Sequence, residues 1–211
     1  MKKIFILLAL TFLFIVTVNS QNFFGGLIAG GITSQVEGDQ RGGFNKLGFT
    51  AGAFAGLPIN KNFSVHLELK YIQKGSRSNN VEAFPDGDPY LLRLDYIDMP
   101  IVFTTNFNMI RINGRGLHWL NVELGLSVDV LAKYKEEIMG IENIDYNPWR
   151  RVALNGLAGI RINITKDCQI GLRTINSITS IRKNVVTGNV IRFNQWGEFN
   201  DVLQLAIFYR L

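Results

Sequence analysis

The residues of this chain that could do chemistry are few. It holds two histidines, His66 and His118, and one cysteine, Cys168. His66 stands two residues from Glu68, which puts both side chains on one face of an extended strand. Such a pair could serve as a general base and its neighbouring acid, but catalysis also needs an accessible nucleophile beside the base. The preferred reading is a hydrogen-bonding residue in a polar network. His118 opens a strand and reads as structural. No histidine or cysteine spacing matches a metal site. Pro85-Asp86-Gly87-Asp88-Pro89 lacks the ligand series of an EF-hand and reads as a solvated turn. Glu136, Glu137, Glu142 and Asp145 read as solvated loop charge. Gly25-Gly26 and Gly30-Gly31 are followed by no helix that would make them a nucleotide loop. No catalytic residue, cofactor or metal is expected.

The remaining chemistry is charge at alternating positions, and the elements that carry it are strands. From His118 to Tyr134, Leu120, Val122, Leu124, Leu126, Val128, Val130 and Ala132 take one parity. Asn121, Glu123, Gly125, Ser127 and Asp129 take the other. A period of two is the signature of a β-strand with two different faces. Eight strands are expected, near 24–34, 47–59, 63–75, 91–107, 117–135, 151–165, 168–181 and 193–211. Tight turns at Pro58–Asn62, Asn113–Gly116 and Lys166-Asp167 alternate with longer polar loops at 35–46, 77–89, 136–149 and 182–195. Short turns at one end and long loops at the other are the pattern of outer-membrane barrels. The fold class expected is all-β, an eight-stranded antiparallel up-and-down transmembrane barrel.

Lys2 and Lys3 precede an apolar run from Ile4 to Val18, and Val18-Asn19-Ser20 follows as a small-residue cleavage pattern. Residues 1–20 therefore read as a cleavable export signal and 21–211 as the barrel domain. Without Lys2 and Lys3, 20 basic residues face 17 acidic ones, a net of +3. That balance, with no basic tract, gives no case for nucleic acid. An exported chain with a single cysteine has no internal disulfide.

Alternation alone does not say which face meets water, so a soluble lipocalin-like barrel with an apolar interior is the competing arrangement. The membrane arrangement is favoured by what the polar face carries. A lumen network is expected from His66, Glu68, Lys70, Asp98, Glu123, Asp129, Arg151, Arg161, Arg173 and Arg210, closing the interior to solutes. Gly48, Gly52, Gly56, Gly125 and Gly159 share this face and leave room for long side chains in a narrow barrel. Tyr71, Tyr134 and Trp149 are expected at the outer rim and Phe63, Phe103, Phe107 and Tyr209 at the inner rim, as interfacial girdles. In the fourth strand the apolar parity shifts after Tyr96, which predicts a β-bulge near Tyr96-Ile97.

Three segments carry a family likeness: Lys46-Leu47-Gly48-Phe49-Thr50-Ala51-Gly52, Leu67-Glu68-Leu69-Lys70-Tyr71-Ile72-Gln73-Lys74-Gly75 and Leu94-Asp95-Tyr96-Ile97-Asp98-Met99-Pro100. With the strand rhythm they resemble the PorT-like outer membrane β-barrel proteins of Bacteroidetes. Asp98 stands where that family usually has Glu. The resemblance implies an eight-stranded barrel similar to OmpA and OmpX, non-enzymatic, inserted by the barrel-insertion machinery. Expected partners are outer membrane lipid, lipopolysaccharide and an envelope or secretion-complex protein. The founding member's place in type IX secretion makes an accessory secretion role the alternative.

Overall fold

The computed structural model describes residues 23–39, 41, 43–78, 89–112, 115–142, 149–182 and 190–211. Asp86, Gly87, Asp88 and Asp145 lie outside these residues, as do residues 1–20, expected to be an export signal. The side chains of Phe107 and His118 also lie outside the description.

The strands are β1 Phe24–Glu37, β2 Lys46–Pro58, β3 Phe63–Ser78, β4 Tyr90–Ile112, β5 Arg115–Ile138, β6 Ile141–Glu142, β7 Val152–Asn163, β8 Cys168–Ser177, β9 Val190–Arg192, β10 Gln195–Gly197 and β11 Phe199–Arg210. Eight of them form the barrel in the order β4-β3-β2-β1-β11-β8-β7-β5, and β4 pairs back onto β5 to close it. Every pairing is antiparallel. Closure removes the unpaired edges that an open sheet would leave in lipid. The three short strands, β6, β9 and β10, ornament the long-loop end. At two or three residues each they are too brief for a periodic signal.

The faces are inverted relative to a soluble barrel. Leu67, Leu69, Leu124, Leu126, Leu205 and Ile207 point out and are exposed, while Glu68, Lys70, Glu123 and Arg173 alternate with them and are buried. The lipocalin-like alternative would require the reverse. Phe63, Phe103 and Tyr209 face outward at the short-turn end. Two rim aromatics do not follow expectation. Trp149 is 3% exposed within the core cluster and Tyr134 packs against that cluster from the side.

A β-bulge does fall beside Tyr96 as expected, between Asp95 and Tyr96 in the β4–β5 ladder, but β4 itself does not slip. Tyr90, Leu92, Leu94, Tyr96, Asp98, Pro100, Val102 and Thr104 all stay buried on one parity, and the β3–β4 register is unbroken. Asp95 pairs with Lys133 but Tyr96 pairs with Leu131, so the bulged residue is Ala132 on β5. The misreading has a physical origin. The lumen is polar at mid-height but apolar toward the long-loop end, so β4 changes chemistry along its inward face without changing parity. It is β5 that changes parity, which brings Tyr134 and Glu136 inward.

Candidate functional site

The barrel interior is layered. At mid-height, four carboxylates and four cations meet with no solvent exposure of their side chains: Glu68, Asp98, Glu123, Asp129, Lys70, Lys74, Arg161 and Arg173. Their formal charges cancel. Arg173 holds Glu68 in a fork, Nη1 to Oε2 at 2.7 Å and Nη2 to Oε1 at 2.6 Å, and also donates to Glu123 through Nε. Arg161 spans the same two carboxylates, Nη2 to Glu68 Oε1 at 3.1 Å and Nε to Glu123. Planar guanidinium groups suit this because each presents paired donors to two acceptors at once.

The other half of the layer is built on lysine. Asp98 and Asp129 sit directly opposite each other on β4 and β5, a like-charge pair that would repel in isolation. Lys70 Nζ lies 3.3 Å from Asp98 Oδ2, and Lys74 Nζ donates to Asp129 Oδ2 at 2.6 Å. Burying an ion without its partner costs several kcal/mol, so each carboxylate needs its cation.

Packing seats the arginines. The Phe208 ring lies 3.8 Å from the Arg161 guanidinium and 4.7 Å from that of Arg173, within cation–π range. A Cβ on Gly159 would come within 2.8 Å of both Arg173 Cγ and Glu123 Oε1, and one on Gly171 would meet Phe208 at 2.8 Å. Only glycine leaves this volume free for the long side chains.

Toward the long-loop end the lumen turns apolar. Ile72, Leu92, Leu94, Tyr96, Leu157, Ile175 and Val202 form the main core cluster. A polar cap lies above it. Arg182 Nη1 is 3.4 Å from both Glu136 and Glu198, and its guanidinium stands 4.7 Å from the Trp149 ring. Tyr90 Oη donates to Glu136 at 2.9 Å. Burial, with Asp39 and Glu136 close by, raises the Glu198 carboxyl to about 7 against the opposing pull of Arg182.

At the other end a cavity of about 120 Å³ is walled by Phe24, Phe54 and Phe208, with Ser64, His66, Thr104 and Asn121 inside. Ser64 Oγ and His66 Nε2 are 3.0 Å apart, the spacing of a nucleophile and its base. Among the described residues, Nδ1 of His66 has no hydrogen-bond partner to orient the ring. Glu68 faces the arginines instead, so the His66–Glu68 pair considered from the sequence does not form.

Of the ten lumen residues expected, Glu68, Lys70, Asp98, Glu123, Asp129, Arg161 and Arg173 meet in one layer, and His66 lies in the cavity below it. Two expectations are corrected. Arg151 is exposed just before β7 begins, beyond the point where the wall could bury it. Arg210 is exposed at the opposite rim, its guanidinium 4.6 Å from the Phe24 ring. Sequence reasoning missed Lys74, although it shares the parity of Glu68 and Lys70. Among the described residues, no group of three or more His, Cys, Asp or Glu is placed to hold a metal ion.

A closed barrel with apolar residues outside and a charge-neutral interior is the arrangement of a membrane-spanning barrel. Residues 20–182 match the family described as outer membrane protein beta-barrel domain, and the chain belongs to it. Among solved structures, it is similar to Neisserial surface protein A at 10% identity and a TM-score of 0.48, covering 90% of this chain and 97% of that one. It is also similar to Ail, the attachment invasion locus protein of Yersinia pestis, crystallised with the heparin analogue sucrose octasulfate. There the identity is 14% and the TM-score 0.46, covering 90% of this chain and 99% of that one. No curated protein matches the sequence.

Proposed function

We propose that this chain is a non-enzymatic outer membrane barrel with a structural, adhesive or binding role carried by its outer loops. The observation that supports this most is the neutral layer of eight buried charged side chains beneath an apolar layer. Together they fill the lumen, and a filled barrel acts through its surfaces. The partners that fit are outer membrane lipid, lipopolysaccharide and an envelope protein. Residues 1–20 as a cleaved signal, 21–211 as the mature barrel and a place in the PorT-like branch belong to the same reading. Planar bilayer recording tests it. Folded protein is expected to insert without stable conductance, and a large steady conductance would overturn the filled-lumen reading.

A second reading, an accessory part of a secretion or transport complex, is favoured by the β4–β5 hairpin. β3 stops pairing with β4 at Thr105, and β7 stops pairing with β5 at Leu120. Beyond those points β4 and β5 continue together to Ile112 and Arg115 at the short-turn end. A two-stranded ribbon past the barrel wall leaves backbone groups unpaired on both edges, which suits strand addition by a periplasmic partner. Stoichiometric co-purification of such a partner, lost when residues 108–116 are shortened, is the outcome this reading requires.

A further inference from the structure

The chamber at the short-turn end has two unlike halves. Phe24, Phe54 and Phe208 form one, with the Phe24 and Phe54 ring centroids 6.2 Å apart and those of Phe54 and Phe208 6.3 Å apart. Ser64, His66, Thr104 and Asn121 form the other. Glycines seat the rings. A Cβ on Gly56 would come within 2.3 Å of the Phe24 ring, and one on Gly26 within 2.6 Å of the Phe54 ring. Phe208 also carries the Arg161 guanidinium on its ring at 3.8 Å, so the chamber ends against the charged layer.

The polar half has hydrogen-bonding capacity to spare. Thr104 Oγ1 and His66 Nδ1 are buried, and among the described residues neither has a hydrogen-bond partner. His66 is held in place, with the Phe24 and Phe54 rings 5.4 and 5.7 Å from its own and Ser64 Oγ 3.0 Å from Nε2. A buried polar group left without a partner is costly, so a hydroxyl and an imidazole nitrogen stand ready for a ligand. The charged side chains that line the chamber, Lys166, Asp167 and Arg210, are exposed at its mouth. Arg161 behind it is committed to Glu68 and Glu123. A bound ion would find no free counter-charge inside, and the lining therefore selects a neutral group.

At about 120 Å³ the chamber takes roughly six heavy atoms. Closed at one end, it admits a terminal group and not a passing chain. A methyl against the rings, a carbonyl accepting from Thr104 and an N–H beside His66 describe an acetamido group. We propose that the chamber binds the acetamido group of an N-acetylated amino sugar, with the sugar ring at the mouth, where Lys166, Asp167 and Arg210 suit its hydroxyls. Only the side it faces, the periplasm, rests on the outer membrane reading above.

The full chain, folded in nanodiscs that leave both ends open to solvent, is titrated with N-acetylglucosamine, with glucosamine and with the β-1,4-linked tetramer of N-acetylglucosamine, read by saturation-transfer NMR. N-acetylglucosamine is expected to bind saturably. Glucosamine is expected to bind more than about tenfold more weakly, since it lacks the methyl and the carbonyl. Thr104→Val keeps the shape of the side chain and is expected to weaken binding about fivefold, through the loss of one neutral hydrogen bond. Ser64→Leu is expected to fill the chamber and abolish binding. A boiled-against-unboiled gel shift confirms that each variant is folded. Tighter binding of the tetramer would make glycan chains the source and equal binding a free sugar, and either supports the site. Absence of saturable binding, equal binding of glucosamine or of N-acetylalanine amide, or an unaffected Thr104→Val would each overturn it. A native chain that binds the sugar but is absent from the outer membrane fraction would overturn only the membrane reading.

Discussion

The residues of the mid-height layer are interdependent, and a single substitution exposes that. Arg173 is the most connected of them, donating to both Glu68 and Glu123. Arg173→Met would leave two buried carboxylates sharing Arg161 and Lys70. Removing one member of a buried ionic group costs about 3–5 kcal/mol. Urea titration of the barrel folded in lipid vesicles is expected to show that loss. Arg151→Met, at a position the sequence assigns to the same network, is expected to change stability by no more than about 0.5 kcal/mol because Arg151 is exposed. Similar losses from both would contradict the placement of the layer. Glu198 tests the cap in a different way. Its carboxyl titrates near 7 in the folded chain, and its ordinary value is 4.5, so the folded state holds the proton more tightly. Its contribution is therefore most favourable below 4.5, declines as pH rises from 4.5 to 7, and is constant above. Arg182, Asp39 and Glu136 are the charged groups around it. In Glu198→Gln this decline is expected to disappear from a pH series of unfolding midpoints, and an unchanged slope would assign the titration elsewhere.

At the scale of the strand, Ala132 is the extra residue that shifts the parity of β5 in the outer half. Deleting it makes Leu131 and Lys133 consecutive opposite Tyr96 and Asp95, so the ladder becomes regular with Lys133 and Lys135 still outward and Tyr134 and Glu136 still inward. Glu136 then keeps Tyr90 and Arg182. The expected outcome is a barrel that still shifts on boiling, with Trp149 fluorescence still shielded from acrylamide. Exposure of Trp149 to acrylamide in the deletion variant would show that Ala132 is not the extra residue of the ladder. This element also marks how far the sequence could be read. The eight strands, the closed order and the outward faces were legible because an outer-membrane wall imposes a strict period of two on residues such as Leu203, Leu205 and Ile207. Seven members of the charged layer were legible for the same reason. Alternation assigns side chains to faces but says nothing about height. Arg151 and Arg210 share the inward parity yet sit beyond the buried section of the wall. Nor does alternation reveal that a lumen can be apolar, and so the inward Leu92, Leu94 and Tyr96 read as a slip of register.

At the scale of the whole molecule, the strands at the front and back of the barrel are unequal. β4 and β5 hold 23 and 24 residues, whereas β8 holds 10. At about 3.3 Å per residue the long pair would extend roughly 75 Å, well beyond the ~30 Å hydrocarbon core even when tilted. The excess must emerge from the membrane, as a ribbon at the short-turn end and as the wall carrying Arg93 and Lys135 at the other. The three tryptophans sample these zones. Trp119 is exposed on β5 just below the last residue paired with β7, Trp196 is exposed in the β9–β10 hairpin at the long-loop end, and Trp149 is buried under the cap. Three variants retaining one tryptophan each, folded into sealed vesicles, should separate these zones with iodide added only outside. Because all chains insert the same way round when added from one side, either Trp119 or Trp196 is expected to be quenched, but not both, while Trp149 is insensitive. Quenching of both exposed tryptophans to the same extent would mean that the short-turn end of β5 and the β9–β10 hairpin do not lie on opposite sides of the bilayer, and the assignment of outer loops and periplasmic ribbon would fall together.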